Sequence, residues 1–137
     1  MKSLSNLFLN SEQEYIEEFC KAYKDPIKTS DGFTVYCNNI NQRAHHFCCG
    51  TINKFQPVRA QRILWAKYIL LNPEERTILG NVKDKNSLLF FMARKRDSYL
   101  VICRVINDKD LDLISGYPVF GKKSEDYKKP NFPYKFI

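Results

Sequence analysis

The chain holds two histidines, His45 and His46, adjacent to one another in Asn41-Gln42-Arg43-Ala44-His45-His46-Phe47-Cys48-Cys49-Gly50. Imidazole is the side chain that takes up and returns a proton near neutral pH, as phosphodiester cleavage through a neighbouring hydroxyl requires. If the segment is extended, consecutive side chains point to opposite faces, and one of the pair reaches a shared site. The structural alternative is a histidine hydrogen-bonded in the core. Cys37, Cys48 and Cys49 lie close by, but the Cys-x2-4-Cys and His-x3-5-His modules of structural zinc sites are absent, so no metal is expected. The five cysteines are an odd set and read as buried free thiols of a reduced, cytoplasmic protein. No papain-like or phosphatase-like loop surrounds any of them, and five isolated glycines exclude P-loop and dinucleotide fingerprints.

A second group is cationic. Arg59 and Arg62 fall outside the apolar stripe of Ala60, Ile63, Leu64, Tyr68 and Leu71, so they face solvent or a groove. Two guanidinium groups three positions apart near a helix N-terminus suit a phosphate or an acidic protein, and solvated basic positions are the plainer reading. The wider balance agrees. The chain of 137 residues carries a net charge of +7, yet residues 1–32 are net −2, so the remainder is +9 and any polyanion is met after residue 32. No apolar run approaches the ~20 residues of a membrane span, and the first ten residues do not read as a secretion signal.

The elements that must position these groups follow from periodicity. Ser11, Glu14 and apolar residues at Tyr15, Ile16, Phe19, Cys20 and Tyr23 predict a capped amphipathic helix that ends before Pro26. Phe33–Cys37 has strand composition after the Ser30-Asp31-Gly32 turn. Pro57 opens a helix that runs to Asn72-Pro73. Three strands, Ser87–Lys95, Tyr99–Ile106 and Leu111–Tyr117, are joined by short polar connections and are therefore antiparallel neighbours; Glu75–Leu79 reads as a shorter one. The middle strand is apolar on both faces, as a central strand is, with Arg104 its lone charge. The result is an α+β domain, N-terminal helices packed on a curved, about four-stranded antiparallel sheet, in the segments 1–32, 33–120 and a basic, aromatic tail 121–137 pinned on the surface by Phe132, Tyr134 and Phe136.

The order of motifs over residues 33–120 resembles the phage-associated branch of the barnase/EndoU/colicin/RelE-like nucleases. The carriers are a His-containing strand with His46-Phe47-x-x-Gly50, a helix Arg59-Ala60-x-Arg62-Ile63-x-Trp65 ending in Asn72-Pro73, then Tyr99-Leu100-Val101-Ile102-x-Arg104-Val105 and Ser115-Gly116-Tyr117-Pro118. The resemblance implies RNA held across the sheet and cut without a metal. It makes His46 the general base or acid, Arg59 and Arg62 the ligands of the scissile phosphate, and Ser115 with Tyr117 the lining of the site. Arg104, His45 and Lys122 are then further substrate contacts, and Lys95, Lys122 or Tyr117 the proton-transfer partner of His46. It implies an endoribonuclease of toxin or phage-effector type acting on RNA or tRNA by 2′-hydroxyl transesterification, with an acidic antitoxin or immunity protein as a second partner. The alternative is a non-catalytic RNA-binding or protein-inhibiting domain that keeps the basic face.

Overall fold

A computed structural model describes residues 4–81 and 84–120, together with the backbone of residues 134–136. Helix α1, Glu12–Tyr23, begins where the Ser11 hydroxyl accepts the Glu14 N–H at 3.3 Å and the Glu14 carboxylate accepts the Asn10 N–H at 2.7 Å, a reciprocal cap. It buries Tyr15, Phe19 and Tyr23 at four-residue steps. Two short strands follow, β1 (Ile27–Lys28) and β2 (Thr34–Tyr36), then α2 (Ile40–Cys49), a 3-10 turn at Gly50–Ile52, α3 (Pro57–Ala60), α4 (Trp65–Leu71) and a 3-10 turn at Pro73–Glu75. The rest is sheet: β3 (Thr77–Asn81), β4 (Ser87–Met92), β5 (Asp97–Asn107), β6 (Asp110–Phe120) and β7 (Tyr134–Phe136).

These strands form one sheet in the order β1-β2-β6-β5-β4-β3-β7. The α+β class and the antiparallel run β3 to β6 match expectation; four strands and a wholly antiparallel sheet do not. The correction lies at both flanks. Tyr134–Phe136 adds to the outside of β3, and β2 adds parallel to β6, with Thr34–Tyr36 opposite Asp110–Asp112. The helices also do not simply precede the sheet, because β1 and β2 come between α1 and α2. Residues 121–133 of the tail lie outside the described residues.

Two further expectations change. The His45-His46 stretch is α2, not a strand, and Ala44, Phe47 and Cys48 are its buried face. The single helix from Pro57 is broken between Ala60 and Trp65. The chain tightens there to 3-10-type bonds, Arg62 N–H to the Arg59 carbonyl, Ile63 N–H to that of Ala60 and Trp65 N–H to that of Arg62. The buried Tyr23 hydroxyl takes up the next pair, donating to the Ile63 carbonyl at 2.5 Å and accepting the Lys67 N–H at 3.0 Å, which a continuous helix would join directly.

The main core lies between the helices and one face of the sheet, where Phe19, Tyr23, Phe47, Ile63, Trp65 and Ile69 meet Phe90, Tyr99, Val101, Cys103, Leu111 and Leu113. A smaller cluster of Leu79, Leu89, Phe91, Leu100 and Val119 covers the other face. β5 is therefore apolar on both sides as expected. Arg104 sits near its exposed end, where it is cross-strand partner to Asp112 and reaches that buried carboxylate at 3.6 Å.

Candidate active site

The short β2 determines where the site forms. Its pairing with β6 stops at Asp112, so among the described residues the β6 edge from Leu113 onward has no strand beside it. Helices α2 and α3 approach that edge instead. From α2, His46 Nε2 lies 3.0 Å from the Ser115 hydroxyl. From α3, Arg59 Nη2 donates to the His46 carbonyl at 3.2 Å and to the Gly116 carbonyl at 3.4 Å, and its guanidinium lies 5.6 Å from the centre of the Tyr117 ring. His46, Arg59, Ser115 and Tyr117, drawn from three separate elements, thus converge on one stretch of sheet edge.

Two glycines make the convergence sterically feasible. Gly50, at φ +64°, ends α2 and leaves room for Arg59; a Cβ there would stand 3.3 Å from Arg59 Nε and 2.8 Å from the Gln56 side chain. At Gly116 a Cβ would stand 2.7 Å from the Phe47 ring and 2.8 Å from the Tyr99 hydroxyl, so only glycine lets β6 lie this close to α2. A register shift in the β5–β6 ladder opposite Ile102 and Cys103 re-aims the strand at Ser115, as bulges beside functional sites do.

The electrostatics of the cluster are cationic. Burial is the larger cause that holds the His46 imidazole below its ordinary range, and the nearby charges of Arg59 and Arg43 add to it. His46 is consequently neutral at pH 7 and available as a proton acceptor. Among the described residues Arg59 forms no ion pair with a carboxylate, and its buried Nε–H has no partner. A half-buried guanidinium with uncommitted donors is short of an anion. Beneath it lies the Tyr99 hydroxyl, also buried without a partner, its pKa raised chiefly by burial.

The other expected residues sit apart from this cluster to varying degrees. Arg62 is bound to Asp97 at 3.4 Å and to the Val58 carbonyl at 2.8 Å, and lies over the rings of Trp65 and Phe120. Asp97 also pairs with Arg94 at 3.4 Å, so one carboxylate serves two guanidinium groups. His45, one position from His46 on a helix, points elsewhere: its Nε2 is 2.5 Å from Asn53 Oδ1. Arg104 is committed to Asp112 and its side chain is 63% exposed. Lys95 is exposed on the β4–β5 connection, and Lys122 lies outside the described residues.

Two participants were not expected from the sequence. Arg43 precedes His46 by three residues on α2 and loads the imidazole with charge; helical spacing would have revealed it, and an extended reading conceals it. Phe120, 48% exposed at the end of β6, sets an aromatic ring 5.8 Å from the Arg62 guanidinium, a second ring–guanidinium contact on the strand that carries Tyr117. Aromatic rings interleaved with guanidinium groups can stack unpaired bases while the cations hold phosphates. Among the described residues no helix is long and apolar enough to cross a membrane. Comparison with protein-family models, with curated protein sequences and with solved structures finds no match to this chain.

Proposed function

We propose that the chain is an endoribonuclease that cleaves RNA through its own 2′-hydroxyl, of toxin or phage-effector type, with RNA or tRNA as substrate. One observation carries this reading: a neutral imidazole and a guanidinium that pairs with no described carboxylate meet at a sheet edge lined by Tyr117, which has no strand beside it among the described residues. Support also comes from the motif order that resembles the phage-associated barnase/EndoU/colicin/RelE-like nucleases. His46 takes the 2′-hydroxyl proton on the ring nitrogen that Ser115 does not engage, the 2′-oxygen attacks phosphorus, and Arg59 neutralises the charge that develops on the phosphorane. The 5′-oxygen leaves with a proton from Tyr117, whose ring centre lies 5.6 Å from the Arg59 guanidinium. The products are a 2′,3′-cyclic phosphate and a 5′-hydroxyl. Ser115 positions the imidazole, and Arg62 with Phe120 binds the neighbouring nucleotide. Most of the acceleration comes from the cationic donors, since loss of one preorganised donor typically costs ~100- to 1000-fold in turnover.

The test is incubation of the purified chain with total RNA in the presence of EDTA, followed by mapping of the cut ends. Cleavage with cyclic-phosphate ends, lost in His46→Ala and in Arg59→Ala, is the expected result. Salt-dependent RNA binding without product would replace this reading with that of a non-catalytic RNA-binding domain. A stable complex with an acidic protein and no RNA affinity would replace it with that of an inhibitor.

A further inference from the structure

Alongside His46 on α2, three ligand-bearing side chains from two helices converge. Glu12 opens α1, and His45 and Cys49 stand four residues apart on α2, so both project on one side of that helix. One ligand atom from each of the three lies within 4.8 Å of the others. Cys49 Sγ is 3.0 Å from Glu12 Oε1 and 3.8 Å from His45 Nδ1. From these positions we infer that Glu12, His45 and Cys49 form a binding site for a divalent transition metal of zinc type, which ties α1 to α2.

The geometry fits the chemistry. Zinc bonds of about 2.3 Å to sulfur and about 2.0–2.1 Å to nitrogen or oxygen, at tetrahedral angles, separate neighbouring ligand atoms by about 3.4–3.6 Å. The two observed separations bracket that value, so small side-chain movements suffice. A thiolate, an imidazole and a carboxylate form a mixed soft and borderline set that suits zinc or cobalt(II) and not magnesium or calcium.

The second observation is the far side of the imidazole. Asn53, held at φ 55° after the 3-10 turn, brings its Oδ1 to 2.5 Å from His45 Nε2. An amide oxygen only accepts, so Nε2 carries the hydrogen and the Nδ1 lone pair faces Cys49 and Glu12. This is the outer hydrogen bond that metal-ligating histidines use to fix tautomer and ring orientation. Without a metal, burial and the Glu12 carboxylate that accepts its S–H push the Cys49 thiol up to about 11. The cation enters by displacing that proton to solvent.

Sequence spacing conceals the site because its third ligand comes from 33 positions before His45, and the helical pair resembles no zinc-finger module. The site is separate from RNA cleavage, and its test reads metal alone. The full chain, stripped with chelator, is titrated with cobalt(II) and then with zinc(II). Expected are one cobalt per chain, a thiolate-to-cobalt charge-transfer band with the intense visible bands of four-coordinate cobalt, bleaching by zinc, and a metal-dependent rise in Tm. Cys49→Ser removes the charge-transfer band while Cys20→Ser and Cys37→Ser keep it, and Asn53→Ala weakens binding by about 10- to 100-fold. Should Cys49→Ser not fold, His45→Ala at an exposed position gives the same decision by loss of the Tm rise. Absence of the band in the wild type, its retention in Cys49→Ser, or an unchanged metal-dependent Tm in His45→Ala would overturn the site.

Discussion

Replacement of Arg59 by alanine separates what this side chain does for structure from what it does for chemistry. In the folded protein Arg59 Nη2 bridges the carbonyls of His46 and Gly116, and its Nε–H has no partner among the described residues. The His46 carbonyl, in the last turn of α2, keeps the Gly50 N–H as a donor, and the Gly116 carbonyl at the sheet edge is rehydrated when the arginine is gone, so the stability cost is about 1–2 kcal/mol. Turnover carries the larger cost. The guanidinium is the cation that the scissile phosphate would meet, and deletion of one such donor raises the barrier by about 2.7–4 kcal/mol, or ~100- to 1000-fold. A second effect follows from the same charge. Burial is the main cause of the depressed His46 pKa and Arg59 is the next, so loss of the arginine raises that pKa. A general base must be neutral, so the rate climbs as pH passes through its pKa, and the acid limb of the profile moves to higher pH in Arg59→Ala. The assay is single-turnover cleavage of a defined RNA from pH 4 to pH 9, with thermal melts of both proteins at pH 7. Turnover within about threefold of the wild type, or an acid limb that stays put or moves to lower pH, would refute the roles assigned to Arg59 and His46 together.

Gly116→Ala forces a methyl group against Phe47 and Tyr99, both buried and unable to yield, and is expected to cost about 2–3 kcal/mol and to impair cleavage through displacement of the β6 edge; equilibrium denaturation reads the first and the RNA assay the second. Arg76 is a structural arginine: it donates to Asp31 at 2.9 and 3.0 Å and to the carbonyls of Ile69 and Leu70, and lies over Phe90. Arg76→Met is therefore expected to cost about 3 kcal/mol, the low end for a broken buried pair, because Asp31 is one-third exposed and rehydrates, and to leave the sequence specificity of cleavage unchanged. The Arg76 hydrogen bonds hold the Asp31 carboxyl below its ordinary range, so its stabilisation is present above about pH 4 and is lost as pH falls further; in Asp31→Asn that part of the acid slope disappears from Tm measured against pH. Ser115→Ala frees the His46 ring and is expected to lower kcat about tenfold with little change in KM, which distinguishes positioning from substrate binding.

What the sequence disclosed and what it concealed divide along the range of the interactions. Strands β4, β5 and β6 were legible because strand-length runs rich in apolar residues, in β5 on both faces, are separated by short polar turns that force neighbours to be antiparallel. α1 was legible because its cap and its apolar spacing agree. α2 was misread as extended although Ala44, Phe47 and Cys48 carry helical spacing; the aromatic and sulfur-bearing side chains around the histidines are equally at home in a strand, and ten residues are few for periodicity to decide. The break before Trp65 was not legible in the apolar spacing, and the tyrosine hydroxyl that takes up the Ile63 carbonyl there comes from 40 positions earlier. For the site, residue identities were legible and geometry was not. His46, Arg59, Ser115 and Tyr117 were named and do converge, whereas Arg62 and Arg104 were named for a cleft and are found paired with Asp97 and Asp112.

The pairing of Arg104 explains the placement of the site better than a phosphate-binding role would. Asp112 is 2% exposed, and its other oxygen accepts the Asn38 N–H at 3.2 Å, directly where the chain leaves β2 for α2. That bond stops β2 at Tyr36 and starts the turn through Asn39, at φ 54°, into the helix that carries His46. With one more rung of β2, the β6 edge at Leu113 and beyond would be filled by strand, and neither Arg59 nor His46 could reach Gly116 and Ser115. The exposed Arg104 adds little energy to the pair, about 0–1 kcal/mol, so Asp112 itself is the residue that sets the boundary. Asp112→Ala should therefore loosen the entry of α2 and lower cleavage more than Arg104→Ala does. Hydrogen exchange at Asn38 and at the first turn of α2 would register it: equal protection in the two variants would show that the sheet edge is kept open by something other than this carboxylate.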